Sequence, residues 1–243
     1  MESSNQTAAP ARNRDRVLVI MAKAPRPGVV KTRLTPSLPL QAATAFYRCL
    51  LDDTLTLARS LGNVEVAIMC PRSDVNELAQ LVGNEASVVA QKGEGLAAGL
   101  TSVFAHFAED HQRRTIAFNS DSPHLPRSVL EKAFETLSVH DMVVGPTYDG
   151  GYYLVGAKAS HPTLFTGDGM GTSSALDRLL SRARVLQLSV GLSDPFYDID
   201  VAGDLVRLAE ELRLAPTRAP RTAQWLKEWE LSAAESRTSA GEL

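Results

Sequence analysis

The chain repeats one order: an apolar, β-branched run of strand length, then a segment whose apolar positions recur every three or four residues. The run VLVIMA (17–22) precedes Phe46, Tyr47, Leu50, Leu51, Leu55, Ala58 and Leu61, the spacing of one buried helix face. VEVAIMC (64–70) precedes VNELAQLV (75–82). SVVAQ (87–91) precedes a helix carrying Leu96, Leu100, Val103, Phe104 and Phe107. RTIAFN (114–119) precedes PRSVLEKAFETL (126–137), where Pro126 suits a first helical turn. DMVVGP, YYLVGA, a helix near 173–183, RVLQLSV and a helix over about 203–213 complete the series. Parallel strands need crossover helices, and those helices cover both sheet faces. The order therefore predicts an α/β fold, a three-layer α/β/α sandwich with a mostly parallel central sheet. Residues 1–15 are polar and aperiodic and read as a disordered leader. Residues 16–215 read as the folded domain, and 216–243 as a peripheral helix, TAQWLKEWELSAAE, with a fraying tail.

With 44% hydrophobic residues over 243 positions the chain can bury a sizeable core. Its net charge of −3 offers no general attraction to nucleic acid or an anionic membrane, so neither is expected as a partner. No apolar run approaches the roughly 20 residues of a membrane span. The N-terminal segment lacks the apolar centre of a secretion signal, so the cytoplasm is the expected location. Cys49 and Cys70 lie in apolar segments without C-x-x-C or metal-ligand spacing and read as ordinary buried thiols.

In open parallel sheets ligands bind beyond the carboxyl ends of the strands, which directs attention to the loops after the apolar runs. The first, KAPRPGVVKTRL (23–34), holds Lys23, Arg26, Lys31 and Arg33 with Pro25, Pro27 and Gly28. It is either a solvated basic loop or a polyphosphate cradle, in which Lys acts as a point charge and Arg grips oxygens bidentately. Val30 before Lys31 rules out the G-x-x-x-x-G-K-[ST] phosphate loop. The second, NSDSPHLP, puts Asp121 just past a strand, as a helix cap or as a carboxylate for Mg²⁺, which favours one or two carboxylates plus substrate phosphates. DPFYDID supplies Asp198 and Asp200, two apart and on one side of an extended segment, with Asp194 nearby. For Asp121 and Asp200 to meet, their strands are expected to end side by side. The loop GPTYDGGYYLVG is either a hairpin or a close backbone approach to a ligand at Gly150 and Gly151.

GEGLAA (93–98) fits G-x-G-x-x-A after a strand, with Asp121 further on, and supports a rival reading as an NAD(P)-binding oxidoreductase. Its position in the third strand–helix unit rather than the first counts against it. The five histidines show no i, i+4 pairing and no Ser sits in a G-x-S-x-G elbow, so zincin and α/β-hydrolase chemistry have no support. GDGMGT (167–172) reads as a flexible loop capping the next helix, or alternatively as part of an acceptor site.

Taken together, KAPRPGVVKTRL, NSDSPHLP, GPTYDGGYYLVGA and DIDVAGDL resemble the bacterial rSAM/selenodomain-associated transferase 1 family, a conserved domain of unknown function. That family belongs to the GT-A-like nucleotide-diphospho-sugar transferases and is related to 2-phospho-lactate guanylyltransferase. The resemblance covers roughly residues 16–212. It implies a transferase that binds an NTP or nucleotide sugar with Mg²⁺ or Mn²⁺ and a small-molecule acceptor. Asp121 and Asp200 match the family's metal-carboxylate positions, and the two-residue spacing adds Asp198 as a further metal ligand. The nucleotide would lie against Ala22, Lys23, Gly28, Lys31, Arg33, Gly95 and Ser120, with Lys31, Arg33 and Asp121 catalytic. Asp149, Gly150, Gly151 and Tyr152 would face the acceptor. Where the family carries GDLG and a following Arg, this chain has GEGLAAGL, which leaves base and acceptor open. The implied reaction is nucleotidyl transfer with pyrophosphate release; glycosyl transfer at the same site and a non-catalytic nucleotide-binding module are the alternatives.

Overall fold

A computed structural model describes residues 15–108, 113–166 and 173–240, with side chains as far as Leu231. Seven strands form one sheet: β1 (Arg16–Met21), β2 (Glu65–Cys70), β3 (Ser87–Ala90), β4 (Arg114–Asn119), β5 (Met142–Pro146), β6 (Tyr152–Ala157) and β7 (Val190–Leu192). Their spatial order is β3-β2-β1-β4-β6-β5-β7. β6 alone runs against its neighbours β4 and β5; the other pairings are parallel.

The period-two alternation of each strand sorts its side chains between two cores. Leu18, Ile20, Ile68, Ile116 and Phe118 face a cluster closed by α1 (Leu40–Ser60), α2 (Val75–Val82) and α4 (Arg127–Val139). Val17, Val19, Ala67, Ala117 and Val144 face the opposite cluster, closed by α3 (Gly95–Phe107) and α5 (Ala175–Val185). The three-layer sandwich expected from the strand–helix alternation is thus the observed fold. Where Gly145 meets β6, a side chain would collide with the Tyr153 ring, its Cβ lying 2.4 Å away, and the β5–β6 register shifts there.

A third cluster backs α1 with α6 (Ala202–Leu214) and α7 (Pro220–Ala240). The ring of Phe46 lies 5.0 Å from Trp225, which stacks on Trp229. The helix expected over TAQWLKEWELSAAE is longer than its apolar pattern and begins at Pro220. RVLQLSV is not one strand: its first two residues finish α5, Gln187 turns with φ 57°, and β7 starts only at Val190.

Candidate active site

Strand order reverses at β1, with β2 and β3 on one side and β4 on the other. Above the carboxyl ends of these strands lies a cleft of about 930 Å³. Its walls come from the loops after β1 (Ala22, Lys23, Val29 to Arg33), β2 (Pro71 to Ser73), β3 (Gln91, Gly93 to Leu96) and β4 (Ser120, Asp121), with Asp200 at the rim. The predicted residues Ala22, Lys23, Lys31, Arg33, Gly95, Ser120, Asp121 and Asp200 therefore share one concavity. GEGLAA joins that cleft instead of building a second one.

Lys31 is the centre of the arrangement. Its side chain is 4% exposed, and its ammonium lies 2.8 Å from Asp121 Oδ1 and 3.4 Å from Asp200 Oδ1. It also donates to the Ile199 carbonyl. Burial opposes its charge, yet the carboxylates of Asp121 and Asp200 outweigh that penalty and raise its pKa above the ordinary lysine value. Its backbone is left-handed, φ 50° and ψ 38°, unusual for a residue with a side chain. Arg33 reaches the other oxygen of Asp200 at 3.3 Å. The cations expected to cradle phosphates and the carboxylates expected to hold a metal are thus in direct contact.

Asp121 and Asp200 meet by a route the sequence reading did not foresee. They were expected on strands ending side by side, but two strands, β6 and β5, separate β4 from β7. Instead the segment after β7 runs back across the carboxyl edge of the sheet. Phe196 N donates to Pro146 O, Ser122 Oγ donates to Tyr197 O at 3.0 Å, and Ile199 N donates to Asp121 O at 3.3 Å. Along this extended segment Tyr197 and Ile199 are buried while Asp198 and Asp200 turn the other way, as their spacing predicted. Asp204 Oδ2 accepts from the backbone N–H of Asp200 and Val201, which fixes Asp200 at the start of α6. Burial, Asp200 and Asp121 push the Asp198 carboxyl up to about 6.

The set fits a divalent cation as a partial shell. Asp121 Oδ1 is buried and, among the described residues, accepts no hydrogen bond of good geometry; Lys31 is its ion-pair partner. Among the described residues no three His, Cys, Asp or Glu side chains form a ready metal cage. Two carboxylates with remaining positions open to phosphates and water match the demands of Mg²⁺ or Mn²⁺.

Other members of the basic loop serve the fold. Arg26 pairs with Asp74 at 2.9 Å and Glu77 at 2.8 Å, and the Asp74 carboxylate also accepts from Ala24 N at 2.9 Å, which pins the loop to α2. Gly28, with φ 76°, shapes the turn and does not line the cleft. Asp149, Gly150, Gly151 and Tyr152 also lie outside its lining. At Gly150 the close approach is taken by the protein itself, since a Cβ there would stand 2.0 Å from Ser173 O. Tyr152 packs on the α3–α5 side of the sheet, its hydroxyl buried without a hydrogen-bond partner among the described residues. The candidate loop GDGMGT lies outside the described residues. Sequence reasoning missed Tyr47, whose buried hydroxyl bonds Lys23 N, Lys23 O and Ser120 Oγ, and Gln91, whose amide donates to Gly93 O and Gly95 O. It also missed Arg72, an exposed cation at the cleft wall. Tyr47 looked like one more apolar helix position, and nothing local marks Gln91 or Arg72.

The central part of the chain is similar to the family described as "Uncharacterized protein conserved in bacteria (DUF2064)". Residues 54–172 match it. The DUF2064 stretch thus carries Asp121 and the 147–151 loop but neither Lys31 nor Asp200. No curated protein matches the chain. Among solved structures, a protein from Desulfovibrio desulfuricans G20, provisionally named a nucleotide-diphospho-sugar transferase, is 27% identical, with a TM-score of 0.81 over 89% of this chain and 96% of that one. CMP:2-keto-3-deoxy-manno-octonic acid synthetase, in complex with CTP, shares the fold at 11% identity, with a TM-score of 0.54 over 82% of this chain and 99% of its own. The inositol-1-phosphate CTP transferase from T. maritima does so at 13% identity, with a TM-score of 0.54 over 79% and 91%. The resemblance drawn from the sequence motifs, to a conserved domain on a nucleotide-diphospho-sugar transferase fold, is borne out.

Proposed function

We propose that this protein is a nucleotide-utilising transferase that moves an NMP from an NTP to a small phosphorylated or carboxylate acceptor, releasing pyrophosphate. The observation that carries the reading is the convergence of Lys31, Arg33, Asp121 and Asp200 on a nucleotide-sized cleft at the strand reversal. The resemblance to transferases of this fold supports it. In the reaction an acceptor oxygen attacks the α-phosphorus, the bond to the bridging oxygen of the β-phosphate breaks, and pyrophosphate leaves. Lys31, Arg33 and Lys23 neutralise charge on the leaving phosphates. Asp121 and Asp200 would hold a divalent ion, which when bound shields the α-phosphate and orients its oxygens. An acceptor that is already an anion needs no strong base, and among the described residues no histidine lines the cleft.

The name of the Desulfovibrio protein favours a second reading at the same site, transfer of a sugar from a nucleotide sugar. Product analysis separates the two: pyrophosphate marks nucleotidyl transfer and a nucleoside diphosphate marks glycosyl transfer. The first experiment is a thermal-shift panel of nucleoside triphosphates and nucleotide sugars with Mg²⁺ or Mn²⁺, with NAD(P) alongside. Stabilisation by a metal–nucleotide pair is expected, abolished in Asp121→Ala and Asp200→Ala. Stabilisation by NAD(P) alone would overturn the reading and restore the oxidoreductase.

A further inference from the structure

The oxygens around the Lys31 ammonium are those a hard cation would take. Asp121 Oδ1, Asp200 Oδ1 and the Ile199 carbonyl surround it, and Lys31 itself lines the cleft. Two carboxylates so close, with no cation between them, would repel each other in a half-buried place. An ammonium tethered to the chain and a divalent ion cannot occupy one centre.

We propose that Lys31 is the resident cation of the metal site, competing there with a divalent ion, and that a nucleotide's phosphates draw it away so that the ion settles tightly between Asp121 and Asp200. The Ile199 carbonyl then becomes a third protein oxygen for that ion. Without nucleotide, Lys31 leaves the carboxylates neutralised and the metal weakly bound. With nucleotide, the phosphates give Lys31 a better anion along the same cleft wall and free the carboxylates. Nucleotide and metal therefore raise each other's affinity by one shared factor. The inference rests on the nucleotide reading above, but its central claim, that Lys31 competes with metal, can be measured apart from it.

The test measures Mn²⁺ binding to the full chain without nucleotide, by the paramagnetic resonance signal of free Mn²⁺, in wild type, Lys31→Met and Lys31→Gln. Circular dichroism checks that each variant is folded. Both variants should bind Mn²⁺ at least about tenfold more tightly than wild type, the effect of removing a cation in contact with two carboxylates. Their affinity for nucleoside triphosphates at saturating Mn²⁺ should fall. Wild type that binds Mn²⁺ as tightly as the variants overturns the proposal. If nucleotide binds wild type while the variants gain no Mn²⁺ affinity, the competition fails and the nucleotide reading stands. If the variants gain Mn²⁺ affinity while no nucleotide binds any form, the competition stands and the nucleotide reading fails. Should both variants unfold, wild type decides: Mn²⁺ should speed acylation of Lys31, read by peptide mass spectrometry, and an unchanged rate overturns the proposal.

Discussion

His124 lies in the loop beside the site with 0% of its surface exposed, and neither ring nitrogen has a hydrogen-bond partner among the described residues. It packs against Phe196 and Tyr197, and burial, with Arg207 and Arg218, lowers its pKa to about 3. The unfolded chain therefore takes up a proton near pH 6.5 that the folded chain refuses, so stability falls as pH drops below that value. Between pH 7 and 5 the loss from this group is about 2 kcal/mol. His124→Leu should be at least as stable as wild type at neutral pH and lack this slope. Urea titrations at pH 7 and pH 5 give the difference, and parallel pH dependences in the two proteins would refute the assignment. Gly150 gives a second residue-scale expectation. Its φ of 88° and its contact with Ser173 O predict that Gly150→Ala loses about 1–3 kcal/mol from backbone conformation alone, before the collision is relieved, measured as a lower denaturation midpoint. At this scale the sequence showed which residue types were chemically notable but not where each is used. The four cations of KAPRPGVVKTRL look alike in the sequence, and only the arrival of Asp74 and Glu77 from another unit commits Arg26 to the fold while Lys31 goes to the site.

Among the elements, α7 depends on a cap that no local pattern reveals. Asp53, 1% exposed in the middle of α1, accepts from Thr222 N at 2.8 Å and Arg221 N at 3.2 Å, so one helix supplies the N-terminal acceptor of another. Its neighbour Asp52 pairs with Arg221 at 3.2 Å. Asp53→Ala removes the cap and leaves buried N–H groups unpaired, a loss of about 1–2 kcal/mol. Asp53→Asn keeps an oxygen in place and should lose less. A urea series in which both variants shift equally would show that charge, not capping, is what Asp53 provides. The helix itself was legible from Trp225 and Trp229 in a polar sequence, but its start was not. β7 was misplaced for a related reason: no glycine or proline marks the end of α5, and the turn rests on Gln187 in a conformation glycine usually takes.

For the molecule as a whole, the three layers were readable because periodicity is local and repeats in every unit, whereas the site depends on a connection that crosses half the sheet. Residues 193–200 leave the far edge at β7 and end against the β4 loop, held by Ser122 Oγ on Tyr197 O, Ile199 N on Asp121 O, and the Lys31 contacts. None of these bonds has a sequence signature, since a serine after a strand most simply reads as a turn residue. Ser122 is fully buried, with Asn119 Nδ2 donating to its hydroxyl at 3.3 Å, so the hydroxyl joins the strand end to the returning segment. Ser122→Ala should lower stability by about 1 kcal/mol, the worth of one buried hydrogen bond, or about 2–4 °C in melting temperature for a domain of this size. If the segment positions Asp200, metal-dependent nucleotide binding should weaken further than this loss of stability explains, and Ser122→Thr, which keeps the hydroxyl, should recover part of it. A protein that melts lower yet binds metal and nucleotide with unchanged affinity would mean that the ion pairs on Lys31 alone hold the two carboxylates together.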